Sequence, residues 1–408
     1  MTPTDKLAPR TIPLWIPLAL SAGPVVALGF ARFAYALILP AMVRALGWSL
    51  ATAGAMNTAN ALGYLLGALI ATRLTRRWGL GRIFLVSLAV TSLTILGTGL
   101  TGNSLMLALW RFTSGAAGGV AFVVGGGLVA KATVQEPVHR AALLLGLYFG
   151  GAGLGIVLSA WTVPMLLASL PQTVGWRVAW GVLGGISLLT LIVAGPATRH
   201  IGQGDSRAVN HRLRAPLGLR PILIAYGFYG SGYIVYMTFI VAFLEHHGAG
   251  PQEIAWFWTV LGSAAVAGAF LWGRLLSRAS GGRGVAGLMG LVLCGVLLPL
   301  WSTTTLAVLG SAVLFGAAFL AVVTGVTRVA QRSLPVSQWT AALAALTVAF
   351  GLGQTLGPFV AGFVSEGGGG VRYGLTLSAL ILSLGGAVAL TQTDHRPEEI
   401  ADATSPSE

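Results

Sequence analysis

Twelve apolar runs of helical length follow one another along this chain of 408 residues. A hydrocarbon core about 30 Å thick takes roughly 20 residues of helix to cross. In lipid every backbone N–H and C=O must find its partner inside the protein, which a helix does within its own segment. The runs are expected near 13–43, 49–72, 82–101, 104–131, 139–168, 175–195, 220–246, 252–275, 284–302, 304–331, 337–365 and 371–391. Several exceed the minimum span, so tilt or kinking is expected, with Pro164, Pro299 and Pro358 as candidate kinks. Only 9% of the residues are charged and 55% are hydrophobic, too few charges to cover a soluble surface. The N-terminus begins like a signal peptide, yet its apolar run continues to about Ala41 without a small-x-small cleavage site. It reads as a retained first span.

The chain also repeats itself. TRLTRRWGLGR at Thr72–Arg82 returns as GRLLSRASGGR at Gly273–Arg283, offset by 201 residues, with apolar runs on both sides of each copy. Gly29 and Tyr35 match Gly230 and Tyr236 at the same offset, and Ala141-Ala142-Leu143 matches Ala341-Ala342-Leu343 at 200. The nearly constant offset implies two similar membrane halves in tandem, an organisation found in secondary transporters. The expected division is a six-helix bundle at 1–196, a basic linker at 197–219, a second bundle at 220–392 and a disordered, acidic tail at 393–408.

Charge fixes the expected orientation. Of the 24 Lys and Arg, 19 fall on segments that share one side if the N-terminus is cytoplasmic, against three on the other side. Both termini are therefore expected in the cytoplasm. The formal charge of +13 does not point to nucleic acid, because the basic residues sit between apolar runs and not along one soluble face. The lone cysteine, Cys294, lies in an apolar run and reads as a small packing residue. The sequence shows no metal-ligand cluster and no nucleotide-binding loop of the G-x-x-x-x-G-K-[ST] form. Neither metal nor cofactor is expected.

Arg32 and Arg111 are the two cations that lie furthest from the ends of apolar runs. A charge near the bilayer centre costs at least about 2.5–3.5 kcal/mol, so it faces a cavity or a partner. Arg32 is read as an anion-binding or coupling group, or as a brace for a neighbouring helix; the sequence leaves both open. A guanidinium suits carboxylate or phosphate, and no clear acidic partner lies within the membrane, since Glu245, Glu253 and Glu366 fall near outer helix ends. Arg111, near the end of the fourth run, reads first as a side chain that snorkels to the interface. Tyr226, Tyr229, Tyr233 and Tyr236 share one face of the seventh run by spacing. They are expected to line a cavity. Asn57, Asn60 and Tyr64 share a face of the second run, and amides there point inward. Tyr35, Tyr148 and Gln354 complete the candidate substrate set.

These features together make the chain similar to members of the major facilitator superfamily over its whole length. The family pattern G-x-L-x-D-R-x-G-R-R is matched at Leu74, Arg77 and Gly79, and again at Gly273, Leu275 and Arg278. Arg76 and Ser277 stand where the family has aspartate. Leu107-x-x-x-Arg111-x-x-x-Gly115 resembles the fourth-helix motif, which makes Arg111 a coupling candidate. GFARFAYALILPAM from Gly29, YFGGAGLG from Tyr148 and FGLGQTLGP from Phe350 resemble the YbfB/YjiJ-type branch. The resemblance implies an all-α membrane protein of twelve transmembrane helices in two pseudo-symmetric bundles, the major facilitator fold. It makes Arg73, Arg77, Arg82, Arg274, Arg278 and Arg283 gating residues.

The expected function is secondary transport of a small organic solute, leaning to an anion, across the inner membrane. The expected partners are the lipid bilayer, the solute and a proton or counter-anion, with the protein a monomer. Proton-driven efflux of lipophilic drugs is the alternative. A non-transporting receptor is remote, since the appendages are too short to form a domain. An enzyme is not expected.

Overall fold

A computed structural model of the chain describes residues 11–201, 217–335, 338–366 and 369–393. Its regular structure is helical throughout. The long helices are α1 (Trp15–Leu46), α2 (Leu50–Trp78), α3 (Leu80–Leu100), α4 (Ser104–Ala132), α5 (Val138–Ser169) and α6 (Gln172–Ile201). The second set is α7 (Arg220–His246), α8 (Pro251–Leu271), α9 (Arg283–Trp301), α10 (Thr305–Ser333), α11 (Trp339–Glu366) and α12 (Val371–Leu390). Eleven of them are long and apolar enough to cross a membrane. The remaining one is α2, long enough at 29 residues but diluted by Asn57, Asn60 and its terminal arginines. Most of the 197–219 linker and almost all of the 393–408 tail lie outside the described residues. The helix α6 runs on through Ile201, past the expected boundary.

Local chemistry sets several ends. Ser49 accepts from the Thr52 amide at 3.2 Å and starts α2. Asn103 does the same for α4 through Met106 at 3.1 Å. A single residue, Gly79, joins α2 to α3 with φ of +80°, a conformation that favours glycine. The first basic block is therefore not a loop: Arg73, Arg76 and Arg77 ride on the last two turns of α2, because nothing in Thr72–Trp78 breaks a helix. The second copy differs. Helix α8 stops at Leu271, and a short helix Gly273–Arg278 follows Trp272. Pro164, Pro299 and Pro358 all lie within unbroken helices.

Glycine decides how closely the helices approach. Between α2 and α4, a Cβ on Gly63 would lie 2.0 Å from the Phe112 carbonyl oxygen, and one on Gly115 would lie 2.0 Å from that of Asn60. Backbone-to-backbone contact of this kind replaces the hydrophobic drive that is absent between helices in lipid. Within each set of six the helices pack among themselves, and the two sets meet chiefly along α2–α11 and α5–α8, with α1 against α7. Apolar side chains such as Leu189, Ile192, Leu380 and Trp301 are exposed, as a lipid-facing surface requires. Cys294 is exposed too, one turn from Leu297 on α9. The expectation that it packs in the interior is corrected: its helix turns that face to the outside.

Candidate functional site

The first helix is not uniform. Between Pro24 and Ala34 it becomes a π-helix over Val25–Phe33, a wider turn that is rare and frequent at functional sites. Arg32 sits in its last turn and is 3% exposed. Its Nη2 donates to Gln354 Oε1 on α11 at 2.6 Å, and its guanidinium lies 5.1 Å from the centre of the Tyr64 ring. Gln354 Nε2 in turn donates to the Tyr233 hydroxyl. Arg32 and Tyr233 are equivalent under the 201-residue repeat, so one amide joins symmetry-related positions of the two halves. The Arg32 Nε is buried with no hydrogen-bond partner. Among the described residues no carboxylate reaches Arg32, and the ion pairs are Arg44–Glu245 and Arg140–Glu136, both at helix ends.

Arg111 is not an interfacial side chain. It is 2% exposed, and the snorkelling expectation is corrected. Its Nη1 donates to the Ala31 carbonyl in the π-helical turn at 2.5 Å, and its Nη2 stands 3.4 Å from Asn57 Oδ1. The cation lies over Tyr35 at 4.4 Å and near Trp180 at 5.6 Å. These rings and carbonyls give the guanidinium the solvation that lipid headgroups would have supplied.

The other candidates divide by what their polar atoms touch. Asn57 donates to Thr238 Oγ1 across the halves at 2.5 Å. Asn60 donates to the Arg111 carbonyl at 3.1 Å, inside its own half. Tyr35 donates to the Ala53 carbonyl at 2.8 Å, Tyr148 to that of Phe122 at 2.7 Å, and Tyr229 to that of Phe319. The Tyr236 hydroxyl pairs with Ser311 at 2.5 Å. These four hydroxyls are used in bracing helices of one half. The four tyrosines of α7 are all buried, and three of them join a set of near-parallel rings. Tyr226 stacks on Phe350 at 4.6 Å, and Tyr233 stacks on Phe350 at 5.6 Å and on Phe319 at 6.2 Å.

Tyr64 and Tyr226, placed on inward faces by their spacing but left out of the candidate substrate set, join this cluster, and so does Phe350, which was not singled out from the sequence. The signal for Phe350 was its place at the start of the FGLGQTLGP stretch. Arg73, Arg77, Arg82, Arg278 and Arg283 are exposed at one end of the molecule, and none has an ion-pair partner among the described residues. The side chain of Arg274 lies outside the described residues. No group of three or more His, Cys, Asp or Glu among the described residues could hold a metal ion.

The contacts between halves are uneven along the membrane normal. At the end away from the basic blocks, Arg44 pairs with Glu245 at 2.8 Å and the Ala51 amide donates to Glu366 at 3.1 Å. A Cβ on Gly54 there would lie 2.1 Å from the Pro358 oxygen. Trp161 and Trp256 meet edge to face at 5.2 Å. Toward the basic end, Leu65 still touches Gly351 and Phe270 touches Gly146.

The fold and its helix order are shared with solved transporters. A bacterial homologue of the human lysosomal transporter Spinster superposes with a TM-score of 0.72 at 16% identity, over 97% of this chain and 100% of that one. The D-xylose–proton symporter gives 0.70 at 14%, over 93% and 97%. In sequence, the inner membrane transport protein YdhP of Escherichia coli (strain K12) is 24% identical over 401 residues, 95% of this chain and 98% of the relative. A probable sugar efflux transporter of Helicobacter pylori (strain P12) is 28% identical over 256 residues, 61% of this chain and 62% of that protein. The family model described as "Uncharacterised MFS-type transporter YbfB" matches residues 24–390. The chain therefore belongs to that family of major facilitator transporters, a multi-pass membrane protein that moves small molecules and is not an enzyme.

Proposed function

We propose that the protein moves a small organic anion by alternating access, with halves 1–196 and 220–392 rocking about Arg32. The observation that carries this reading is the buried Arg32 guanidinium, which makes one hydrogen bond, to Gln354, and has no carboxylate beside it among the described residues. An uncompensated charge at that depth is costly, and a bound anion offsets the cost. Gln354 and Tyr233 hold the ligand from the opposite half, so cargo contacts span the surface along which the halves move. The state described is closed at the end away from the basic blocks, where Arg44–Glu245 and the Gly54–Pro358 contact join the halves. The basic end faces the cytoplasm of an inner membrane, by the excess of arginine there, and one chain suffices for transport.

Proton-driven efflux of lipophilic compounds has support from the aromatic rings alone. Glu136, Glu245, Glu253, Glu366 and the histidines among the described residues all sit at or beyond helix ends, leaving no carboxylate or imidazole in the interior to carry the proton. A counter-anion fits the coupling role better. Counterflow of labelled organic acids in proteoliposomes tests the reading. Arg32→Ala should abolish anion counterflow while the protein still folds; anion counterflow at the unaltered rate would overturn the role of Arg32.

A further inference from the structure

We propose that the cargo is a planar aromatic monocarboxylate, its carboxylate on Arg32 and its ring against Tyr64, Tyr226 and Phe350. This rests on the anion reading above and adds charge number and shape to it. The charge number follows from the two buried cations. Arg111 is engaged at both terminal nitrogens: one holds Ala31, the other leans on Asn57, and its cationic face lies over Tyr35, so that only its Nε is without a partner. Arg32 makes one bond, to Gln354, and keeps its Nε free. One available guanidinium matches one carboxylate, and a second negative charge on the cargo would meet no cation.

The shape follows from the ring beside that guanidinium and from the stack it reaches through Gln354 and Tyr233. Tyr64 comes from α2 in one half, whereas Tyr226, Tyr233 and Phe350 come from α7 and α11 in the other. The Tyr226, Tyr233 and Phe350 rings lie within 15° of parallel in the pairs Tyr226–Phe350 and Tyr233–Phe350, and both Tyr64 and Phe350 are partly exposed, unlike the fully packed rings around them. The Tyr64 and Tyr226 hydroxyls form no hydrogen bond within the described residues, while those of Tyr35, Tyr148, Tyr229 and Tyr236 all do. One free hydroxyl belongs to Tyr64, the ring beside Arg32, and the other to Tyr226, the ring stacked on Phe350. Flat faces with unused donors beside one free cation suit a flat ring that carries one carboxylate. An aliphatic acid would use the cation and leave the faces unmatched. An uncharged aromatic would leave the Nε unpaired.

Binding to the purified full-length protein in nanodiscs, read by intrinsic tryptophan fluorescence, separates these cases. The probes are benzoate, cyclohexanecarboxylate, succinate, benzyl alcohol and inorganic phosphate. Benzoate should bind about 3- to 10-fold tighter than cyclohexanecarboxylate, the range that aromatic pairing adds beyond area. Arg32→Gln should weaken benzoate at least ~10-fold, and Phe350→Leu should erase the preference over cyclohexanecarboxylate while leaving that ligand's affinity in place. The melting temperature of each variant checks that it folds. Equal affinity for benzoate and cyclohexanecarboxylate, or a preference for succinate or phosphate that depends on Arg32, overturns the aromatic monocarboxylate and leaves the anion reading standing. Benzyl alcohol binding as tightly as benzoate, or no binding by any of the four anions, overturns both.

Discussion

Gly54→Ala is the sharpest probe of the motion. A Cβ on Gly54 would lie 2.1 Å from the Pro358 carbonyl oxygen, 2.9 Å from its carbon and 3.4 Å from Phe359 Cα. Ordinary contact is near 3.5 Å, so α2 and α11 must part by about 1.4 Å at this point. All three atoms are backbone and cannot rotate away. Overpacking of this kind costs typically about 1–3 kcal/mol. Gly54 and Pro358 belong to different halves, so the strain disappears when the halves separate at that end. The whole cost then biases the equilibrium toward the state open on that side, by a factor of about 5 to 150. Gly115→Ala is the control: its Cβ would lie 2.0 Å from the Asn60 oxygen, within one half and unrelieved in either state. The assay uses Cys294→Ser as background and a single cysteine in place of Val241, buried in α7 toward the same end. A membrane-impermeant thiol reagent is applied from the side away from the basic blocks. Gly54→Ala should raise the labelling rate at least ~5-fold, and Gly115→Ala should lower the melting temperature without changing that rate. Equal labelling in both variants, with equal loss of stability, would refute the argument that the α2–α11 seam opens.

Arg111→Lys keeps the charge but replaces a planar fork with a point ammonium. Loss of the bridge from Ala31 to Asn57 should lower stability by about 2 kcal/mol, read as a fall in melting temperature; an unchanged value would remove Arg111 from its bracing role. The Arg44–Glu245 pair is half exposed, so breaking it with Arg44→Gln should change Val241→Cys labelling by less than about 5-fold, in keeping with the ~0.2–1 kcal/mol of such pairs. The double swap Arg44→Glu/Glu245→Arg should restore the original rate. Counterflow of an anion that stays charged should vary less than about twofold between pH 6 and 8, because arginine keeps its proton there and the described acidic and histidine side chains lie at helix ends. A steep pH profile would show a titrating group in the transport path.

The twelve helices, their pairing into halves and the cost of Arg32 were legible in the chain, because each depends on runs, spacing and charge. Arg111 was misread for a physical reason. Distance from a helix end suggested a route to water, but α4 lies against the π-helical turn of α1, and Ala31, Asn57 and Tyr35 solvate the guanidinium in place. Cys294 was misread because an apolar run in lipid has no obligatory inside, so residue type alone cannot assign its face. The four tyrosines of α7 do share a face, but their spacing could not show that Tyr229 and Tyr236 would meet α10 partners while Tyr226 keeps a free hydroxyl.

The sequence by itself determined that this chain spans a membrane as two similar sets of helices, and it aligned Arg32 with Tyr233 under an offset of 201 residues. Hydropathy and repetition act along the chain, so they are written in it. Whether equivalent positions meet is a property of how the two halves close. Only the tertiary structure decided that Gln354 would join Arg32 to Tyr233, that Arg44 would touch Glu245 and that Tyr64 would face Arg32. Those contacts depend on the approach of α2 to α11 and of α1 to α7, which glycine at Gly54 permits but does not by itself specify.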